Sequence, residues 1–513
     1  MSDFRERLDA LSPVILGGLR RGIEKESLRV GKDGALARTP HSSGLGSALT
    51  HENITTDFSE SQLELITGVH TSVDSCLDEL QQVHQFVYAQ IGAELLWCGS
   101  MPCSLPDEAA IPIARFGHSN VGRLKTVYRT GLAHRYGRRM QTISGLHYNF
   151  SLPEGAWPSS KLGAPNEAYF SLIRNFRRHA WLLLYLFGAS PAVCANFVEG
   201  RQHQLDELAP GTLYLPYATS LRMGRLGYMS QAQDSLAVSY NDLATYSASL
   251  RAALTRPYPP YEAIGVRDGE EYRQLATSLL QIENEFYSAI RPKRVVRSGE
   301  RPLQALGERG VQYIEVRAMD LDPFAAIGIS SQTVRFLDVF LLHCLLSDSP
   351  PDTAKEIEVI ERNRQQVAAR GREPGLRLER NGELLHVAEW AGQFVAECRT
   401  IAAALDAAQG LTAHQGALAA VAATIENPAT LPSARVLSEM QQHYEGSHAQ
   451  FTLARSIQHR SALESQPLAD AAQLRWAQLA EDSLAKQVAI EKSDTLPFET
   501  YRQQYVAYAP GRR

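Results

Sequence analysis

The first pattern in the chain that predicts a defined element lies in residues 22–30, where two carboxylates two residues apart stand between β-branched and apolar neighbours and favour a β-strand. Residues two apart in a β-strand point to the same face, so Glu24 and Glu26 are predicted to lie side by side, with Ile23 on the opposite face. Adjacent carboxylates repel each other unless a cation lies between them. The pair therefore predicts half of a magnesium site, although an isolated E-x-E is more often a solvated edge strand.

Three further segments have polar and apolar residues at alternate positions, which predicts a strand in each: residues 140–152, 279–287 and 313–320. Residues 54–67 also favour a strand. Each predicted strand has an apolar face that can pack on a core and a polar face that cannot. The polar positions are Asp57, Glu60, Glu64, His147, Asn149, Ser151, Gln281, Glu283, Glu285, Tyr287, Tyr313, Glu315 and Arg317. A basic loop is predicted to follow residue 290 and to extend to residue 301.

Helical spacing of apolar residues occurs between these segments. Residues 75–91 predict a core helix, and residues 116–136 predict a loop that passes into a helix. The apolar run at residues 180–195 is interrupted by Gly188 and Pro191, which leaves it too short to cross a membrane. It predicts a buried helix that ends at Gly188.

The character of the chain changes near residue 350. Residues 352–370 predict a charged amphipathic helix ended by Gly371, and the chain from there to residue 489 is rich in Ala, Leu and Gln at helical spacing. The sequence therefore predicts an α+β protein. Residues 1–348 would form a catalytic core, and residues 349–513 a mainly helical C-terminal portion packed on it.

Composition narrows the class of protein. The 513 residues are 44% hydrophobic, with a net charge of -5 and a pI near 6.3, which argues against a general nucleic-acid-binding protein. The six cysteines lack C-x-x-C spacing, so neither a zinc site nor a disulfide framework is predicted, and we expect mainly reduced, buried thiols. The N-terminal residues lack the pattern of a signal peptide, which favours a cytoplasmic location.

The predicted polar faces offer many carboxylates and one imidazole. Hard oxygen ligands suit Mg²⁺ or Mn²⁺. On one face of an antiparallel sheet they can hold divalent ions against nucleotide phosphates, whose charge the ions neutralise. Arg317, two residues from Glu315, could bind a phosphate or a carboxylate with its planar guanidinium. The acidic set is Glu24, Glu26, Asp57, Glu60, Glu64, His147, Glu283 and Glu315.

Several common catalytic motifs do not occur in the sequence. Neither a G-x-x-x-x-G-K-[ST] loop nor a G-x-G-x-x-G after a strand is found, so metal ions and arginines would have to hold the phosphates of ATP. Serine or cysteine nucleophilic catalysis has little support, because no G-x-S-x-G elbow is found. Taken alone, His147 is more often a structural histidine and a basic loop more often a solvated turn.

Six segments, in this order, resemble glutamate–cysteine ligase (γ-glutamylcysteine synthetase) of the proteobacterial type 1 family. They are RGIEKESLRV at 21–30, TTDFSE at 55–60, QTISGLHYNF at 141–150, YLFGASP at 185–191, IRPKR at 290–294 and YIEVR at 313–317. The resemblance runs from about residue 15 to 345 and is looser beyond residue 350. It implies a glutamine-synthetase-like antiparallel β-sheet, folded into a funnel and surrounded by helices.

The activity that the resemblance implies is ATP-dependent ligation of the γ-carboxyl of L-glutamate to the amino group of L-cysteine. The reaction would pass through γ-glutamyl phosphate and form the first step of glutathione biosynthesis. The reaction would require Mg²⁺, with Mn²⁺ as an alternative, and glutathione would inhibit the enzyme. The protein would be a monomer without nucleic-acid or membrane partners. Two alternatives stay open: a related carboxylate–amine ligase with another amine acceptor, and a non-catalytic nucleotide- and metal-binding sensor.

The resemblance also implies roles for individual residues. Glu315 and Arg317 would be catalytic, and Arg222 would bind the cysteine carboxylate. The implied metal-binding residues are Glu24, Glu26, Asp57, Glu64, His147 and Glu315. The implied cysteine pocket consists of Phe58, Tyr128, Leu132, Gln141, Arg222, Tyr228 and Tyr287.

Overall fold

The largest sheet of the protein has seven antiparallel strands. The computed structural model describes residues 2–157, 161–227, 231–234, 236–297 and 299–507. The strands of these residues are β1 (Arg20–Val30), β2 (Ile54–Thr56), β3 (Gln62–Ile66), β4 (Leu95–Leu96), β5 (Leu146–Ser151), β6 (Ala192–Cys194), β7 (Asp206–Ala209), β8 (Thr212–Tyr214), β9 (Arg267–Asp268), β10 (Glu271–Tyr272), β11 (Ile290–Lys293), β12 (Tyr313–Met319), β13 (Arg377–Arg380) and β14 (Glu383–His386). The main sheet has the order β11-β12-β5-β1-β3-β2, and β4 pairs with the end of β1.

The three adjacent strands β12, β5 and β1 were all predicted from the sequence, β12 and β5 by their alternation and β1 by its paired carboxylates. Their apolar positions are buried, as shown by Tyr148 and Phe150, which are both fully buried. The strand predicted at residues 140–152 is shorter than expected, because a 3-10 turn, Met140–Thr142, precedes it. Residues 54–67 form the hairpin of β2 and β3. The predicted α+β class with an antiparallel sheet is confirmed.

Helices cover one face of the main sheet. The helices of the described residues are α1 (Ser2–Asp9), α2 (Pro13–Gly17), α3 (Val73–Gln90), α4 (Asn120–Tyr136), α5 (Pro165–Phe187), α6 (Gln231–Asp234), α7 (Leu243–Thr255), α8 (Pro259–Ile264), α9 (Pro302–Arg309), α10 (Ser331–Leu346), α11 (Ala354–Arg370), α12 (Val387–Gln409), α13 (Ala413–Glu426), α14 (Pro432–His443), α15 (His448–Glu464), α16 (Asp470–Ser493) and α17 (Phe498–Val506). Helix α3 packs on β1 and β3, α5 packs on β11 and β12, and α10 packs on both helices. Among the helices described, none is long and apolar enough to cross a membrane.

The C-terminal portion is mainly helical, as predicted, and its strands are the hairpin of β13 and β14. Helices α12 and α13 pack on α10, and α15 packs on β4 and β6. Helix α17 packs on α4, in the first third of the sequence. The division into residues 1–348 and 349–513 stays a prediction.

The strand predicted at residues 279–287 is wrong, because this segment contains a 3-10 turn, Glu283–Glu285. Its polar side chains bond to local backbone and to other elements. Glu285 accepts hydrogen bonds from the backbone N–H of Gln281 at 2.7 Å and from Arg135 at 2.8 Å, and Gln281 accepts one from the N–H of Leu275 at 2.9 Å. Alternation therefore arose here without a sheet partner.

The basic loop predicted after residue 290 begins instead as strand β11, Ile290–Lys293. Pro292 argues against a strand in the sequence because it cannot donate a ladder hydrogen bond. The structure tolerates it because β11 is the edge strand of the sheet. Arg291 and Lys293 are consequently held on a rigid element that faces β12.

One pair of cysteines forms a disulfide, although the sequence predicted mainly reduced thiols. Cys103 and Cys194, which are 91 residues apart in sequence, form a disulfide, so the expectation of reduced thiols is wrong for both. The free cysteines of the described residues are buried: Cys76, Cys98, Cys344 and Cys398. Spacing could not reveal the pair, because the fold alone brings the loop after β4 to the end of β6.

Candidate active site

Adjacent strands of the main sheet bring the predicted acidic residues together on the face that the helices leave open. Residues directly opposite each other in an antiparallel pair share a face. Glu26 on β1 lies opposite Glu64 on β3, and Glu24 on β1 lies opposite His147 on β5. We call this group, with its neighbours from the β2–β3 turn and β12, the acidic wall: Glu24, Glu26, Asp57, Glu64, His147 and Glu315.

The centre of the acidic wall has the geometry of a divalent-metal site. One ligand atom each from Glu24, Glu64 and His147 lies within 4.8 Å of the others. His147 Nδ1 is 3.2 Å from Glu24 Oε2. His147 Nε2 is buried, 3.6 Å from Glu26 Oε1, and forms no hydrogen bond with the described residues. A buried ring nitrogen without a partner is costly, and carboxylate oxygens of Glu24, Glu26 and Glu64 lie close to the imidazole, so the donor set fits Mg²⁺ or Mn²⁺.

Two cations flank Glu315, whose side chain is almost fully buried. Lys293 Nζ donates to Glu315 Oε1 at 3.1 Å, and Arg317 Nη1 donates to Glu315 Oε2 at 3.3 Å. Burial alone would raise the pKa of Glu315, but Lys293 and Arg317 hold that pKa well below its usual value. Burial, together with Arg317, lowers the pKa of His147, which leaves the imidazole neutral and able to bind a metal.

Glu26 and Glu64 show the opposite electrostatics. Burial, reinforced by the Asp57 carboxylate, raises the pKa of Glu26 to about 8. Burial, reinforced by the charges of Glu24 and Asp57, raises the pKa of Glu64 well above its usual value. These carboxylates are crowded in the way that a bound cation would relieve.

We expect the metal-free protein to lose stability as the pH rises from about 5 to 8, because Glu26 and Glu64 then ionise in the unfolded chain but keep their protons in the folded one. Each group lowers the free energy of unfolding by up to about 1.4 kcal/mol per pH unit in this window. Urea unfolding with EDTA, or with saturating Mg²⁺, measures the effect. Mg²⁺ should remove most of the slope, and the Glu26→Gln variant should show a smaller one; equal slopes with EDTA and Mg²⁺ would contradict the crowding.

Two carboxylates of the predicted acidic set lie elsewhere. Glu60 accepts hydrogen bonds from the backbone N–H groups of His41 at 2.9 Å and Arg115 at 2.8 Å. Glu283 forms an ion pair with Arg301 at 2.8 Å. Both carboxylates are satisfied by the fold, so neither has oxygen atoms to spare for the acidic wall.

Two of the residues predicted to line the cysteine pocket are in direct contact with each other. Gln141 Nε2 donates to the Tyr287 hydroxyl at 2.8 Å. Arg222 is buried, donates to the backbone oxygen of Arg317 at 3.0 Å and lies 3.7 Å from Asp320. A Cβ atom on Gly145 would collide with the Arg222 guanidinium at 2.0 Å, so glycine is required at residue 145.

Four other residues were predicted to line the cysteine pocket: Phe58, Tyr128, Leu132 and Tyr228. Burial raises the pKa of Tyr128, and the negative charge of the nearby Glu285 raises it further. The charge of Asp57 makes a smaller contribution in the same direction, which places Tyr128 near the acidic wall. Phe58 and Leu132 are buried. Tyr228 lies outside the described residues.

Two cavities lie near the acidic wall. The larger has a volume of about 850 Å³ and is lined by Glu24 and Asn149 together with Trp157, Arg294 and Arg309, among others. The smaller, about 300 Å³, is lined by residues that include Arg222, Tyr287, Arg317, Gln233 and Arg364. The larger cavity therefore borders the acidic wall at Glu24, and the smaller one borders Arg317, which contacts Glu315.

Three residues that contact the acidic wall were given no role from the sequence. Asn149 donates to Glu24 Oε1 at 2.8 Å, and Arg129 donates to the backbone oxygen of Asp57. Lys293 was included only in the basic loop. The signal for Asn149 was its position two residues after His147 on one strand face, whereas nothing in the sequence related Arg129 or Lys293 to a particular carboxylate.

Comparisons with known proteins show which family the chain belongs to. Residues 8–367 match the family model described as Glutamate-cysteine ligase. A glutamate–cysteine ligase of Pseudomonas putida (strain W619) is 50% identical over 519 residues, covering 99% of both chains. One from Pseudomonas aeruginosa is 50% identical over 521 residues, covering 99% of this chain and 98% of the relative.

Two solved structures are also similar. The crystal structure of glutamate–cysteine ligase from Francisella tularensis in complex with AMP has a TM-score of 0.90 and 36% identity, covering 95% of this chain and 97% of that one. A bifunctional glutathione synthetase from Pasteurella multocida has a TM-score of 0.72 and 25% identity. The match covers 92% of this chain and 57% of the longer bifunctional protein.

Proposed function

The chain belongs to the glutamate–cysteine ligase family and catalyses the ATP-dependent formation of γ-glutamylcysteine, the first step of glutathione synthesis, and we propose that the acidic wall is where it does so. The observation that carries the proposal is the cross-strand meeting of Glu24, Glu64 and His147 beside the larger cavity, which Glu24 lines. Joining a carboxylate to an amine with ATP requires phosphate charge to be neutralised beside a bound carboxylate. The acidic wall offers that position.

We assign metal binding to the acidic wall, with Mg²⁺ as the ion and Mn²⁺ as a substitute. The carboxylates of the acidic wall and His147 would hold this ion, which would supply positive charge to neutralise the phosphate groups during transfer. Asn149, which donates to Glu24, and the backbone N–H of Gly145, which donates to Glu26 Oε2 at 2.8 Å, orient the two carboxylates of β1. Such supporting hydrogen bonds keep metal ligands in place.

ATP would occupy the larger cavity, where Arg294 can neutralise phosphate charge, and the amino acids would occupy the smaller one. The γ-carboxylate of glutamate would attack the γ-phosphorus of ATP to give γ-glutamyl phosphate and ADP. The neutral amine of cysteine would then displace phosphate. Arg317 lines the smaller cavity and contacts Glu315, so it can hold the γ-carboxylate and stabilise the tetrahedral intermediate.

The experiment that tests this function compares phosphate release across a panel of amino acids, with glutamate, ATP and Mg²⁺ present and the product identified by mass spectrometry. We expect cysteine to give the highest kcat/KM and γ-glutamylcysteine to be the product. A higher kcat/KM with another amine would establish a related ligase instead. Absence of amine-dependent phosphate release would favour a non-catalytic sensor.

Arg222 is assigned to the carboxylate of cysteine, because it is a buried guanidinium that lines the smaller cavity. Replacing Arg222 with lysine removes the planar fork but keeps the charge, so we expect KM for cysteine to rise about 10-fold or more, with KM for ATP little changed. The matched control is Arg364→Lys in the same cavity, where Arg364 already pairs with Glu361 at 2.5 Å. Equal KM values for cysteine in both variants would refute the assignment.

We further propose that the protein acts as a monomer in the cytoplasm and that glutathione inhibits it. Glutathione contains the γ-glutamylcysteine unit that the smaller cavity would accommodate. Size-exclusion chromatography with light scattering tests the monomer. Competition of glutathione with glutamate in steady-state assays tests the inhibition.

A further inference from the structure

Cys103, Cys194 and His448 form a buried cluster that the ligase reaction does not use. Their ligand atoms lie within 4.8 Å of one another. His448 Nδ1 is 3.1 Å from the sulfur of Cys103 and 3.8 Å from that of Cys194. All three side chains are at most 6% exposed.

Three separate parts of the fold hold these residues in place. Cys194 ends β6, where it lies opposite Thr212 of β8. The Thr212 hydroxyl accepts a hydrogen bond at 3.1 Å from the backbone N–H of His448, the first residue of α15. Cys103 comes from the loop after β4. The imidazole is therefore fixed beside both sulfurs by the sheet and not by the disulfide alone.

We propose that Cys103, Cys194 and His448 form a redox-gated metal site, which binds a thiophilic divalent cation such as Zn²⁺ when the disulfide is reduced. A dithiol reductant supplies two electrons and two protons, the S–S bond breaks, and the reductant becomes a disulfide. Each new thiol then loses its proton as its sulfur binds the cation, and the imidazole nitrogen supplies the third ligand.

The chemistry of this cluster differs from that of the acidic wall. Two thiolates and an imidazole prefer Zn²⁺, whereas carboxylates prefer Mg²⁺ or Mn²⁺. Tetrahedral binding at about 2.3 Å places the sulfurs about 3.7 Å apart, a separation that side-chain rotation can reach from Cα atoms 5.3 Å apart. With three protein ligands, the fourth position is open to water or to a small thiolate.

Cobalt(II) is the probe that separates this site from the acidic wall, because only thiolate ligands give an intense sulfur-to-cobalt charge-transfer band. Full-length protein is reduced with a phosphine or dithiol, desalted anaerobically and titrated with Co²⁺. We expect the band to saturate at about one Co²⁺ per chain, to be lost on adding Zn²⁺, and to be absent from the oxidised protein. This comparison requires no variant and does not depend on catalysis.

Variants assign the band to residues. Cys103→Ser and Cys194→Ser should each abolish it, and His448→Ala should weaken Co²⁺ binding at least about 10-fold. Cys398→Ser, which removes a buried free thiol outside the cluster, is the matched control and should keep the band. The site is refuted if reduced wild-type protein gives no charge-transfer band, or if the Cys103→Ser/Cys194→Ser double variant, folded by circular dichroism, gives the same band.

Discussion

Replacing Glu315 with glutamine is expected to lower kcat by about 10³-fold at saturating Mg²⁺, in protein that is still folded at the assay temperature. Glu315 lies between Lys293 and Arg317 on the central part of the sheet, and its charge is held ionised by both. Glutamine keeps the shape and one acceptor but removes the charge that would hold a metal ion and orient Arg317. Phosphate release and circular-dichroism melting measure the two effects.

Glu283→Gln is the matched control, because Glu283 is also a buried glutamate paired with an arginine, but outside the acidic wall. We expect this variant to melt at a lower temperature than wild type and to keep most of its kcat. If Glu315→Gln retained more than about a tenth of wild-type activity, the loss would fall below the range for a lost electrostatic contact, and the catalytic assignment would fail. Parallel losses of activity and stability in both variants would indicate a structural role for Glu315.

Replacing Glu64 with glutamine is expected to raise the Mg²⁺ concentration needed for half-maximal activity by about 100-fold or more, because it removes one oxygen ligand at the centre of the acidic wall. The same change should raise the melting temperature of the metal-free protein. The reason is that burial and the charges of Glu24 and Asp57 disfavour an ionised Glu64 when no cation is bound. Activity against Mg²⁺ concentration, and melting with EDTA, test both parts.

Glu60→Gln is the control for Glu64, since Glu60 belongs to the same hairpin region but bonds to the backbone of His41 and Arg115. It should leave the Mg²⁺ requirement unchanged. A Glu64→Gln variant with a normal Mg²⁺ requirement and a lowered melting temperature would show that Glu64 stabilises the hairpin and does not bind a metal.

The central strands could be predicted because a half-buried strand has a simple period. In β5 and β12 every second residue is apolar and buried, so the sequence shows both the element and the face that carries the polar side chains. Strand β1 lacks this alternation and was predicted from its two carboxylates and their β-branched and apolar neighbours. The alternation rule failed at residues 279–287, where Glu285 and Gln281 bond to local backbone. Alternation alone does not show whether a neighbouring strand exists.

Contacts between distant segments could not be predicted. The register that sets Glu26 opposite Glu64 and Glu24 opposite His147 depends on how three strands pair, which no local pattern encodes. The disulfide between Cys103 and Cys194 depends on the fold in the same way. Resemblance to the family implied a metal-binding set without Glu60 and Glu283, and the structure gives the physical reason, because both carboxylates bond to other groups.

The most direct test of the acidic wall is to count the Mn²⁺ ions bound per chain by electron paramagnetic resonance, in the presence of a non-hydrolysable ATP analogue. Wild type is compared with the Glu24→Gln/Glu64→Gln double variant, whose folding is checked by circular dichroism. The acidic wall predicts that the double variant binds at least about one Mn²⁺ fewer per chain. Equal numbers of Mn²⁺ ions bound with equal affinity by both proteins would contradict it.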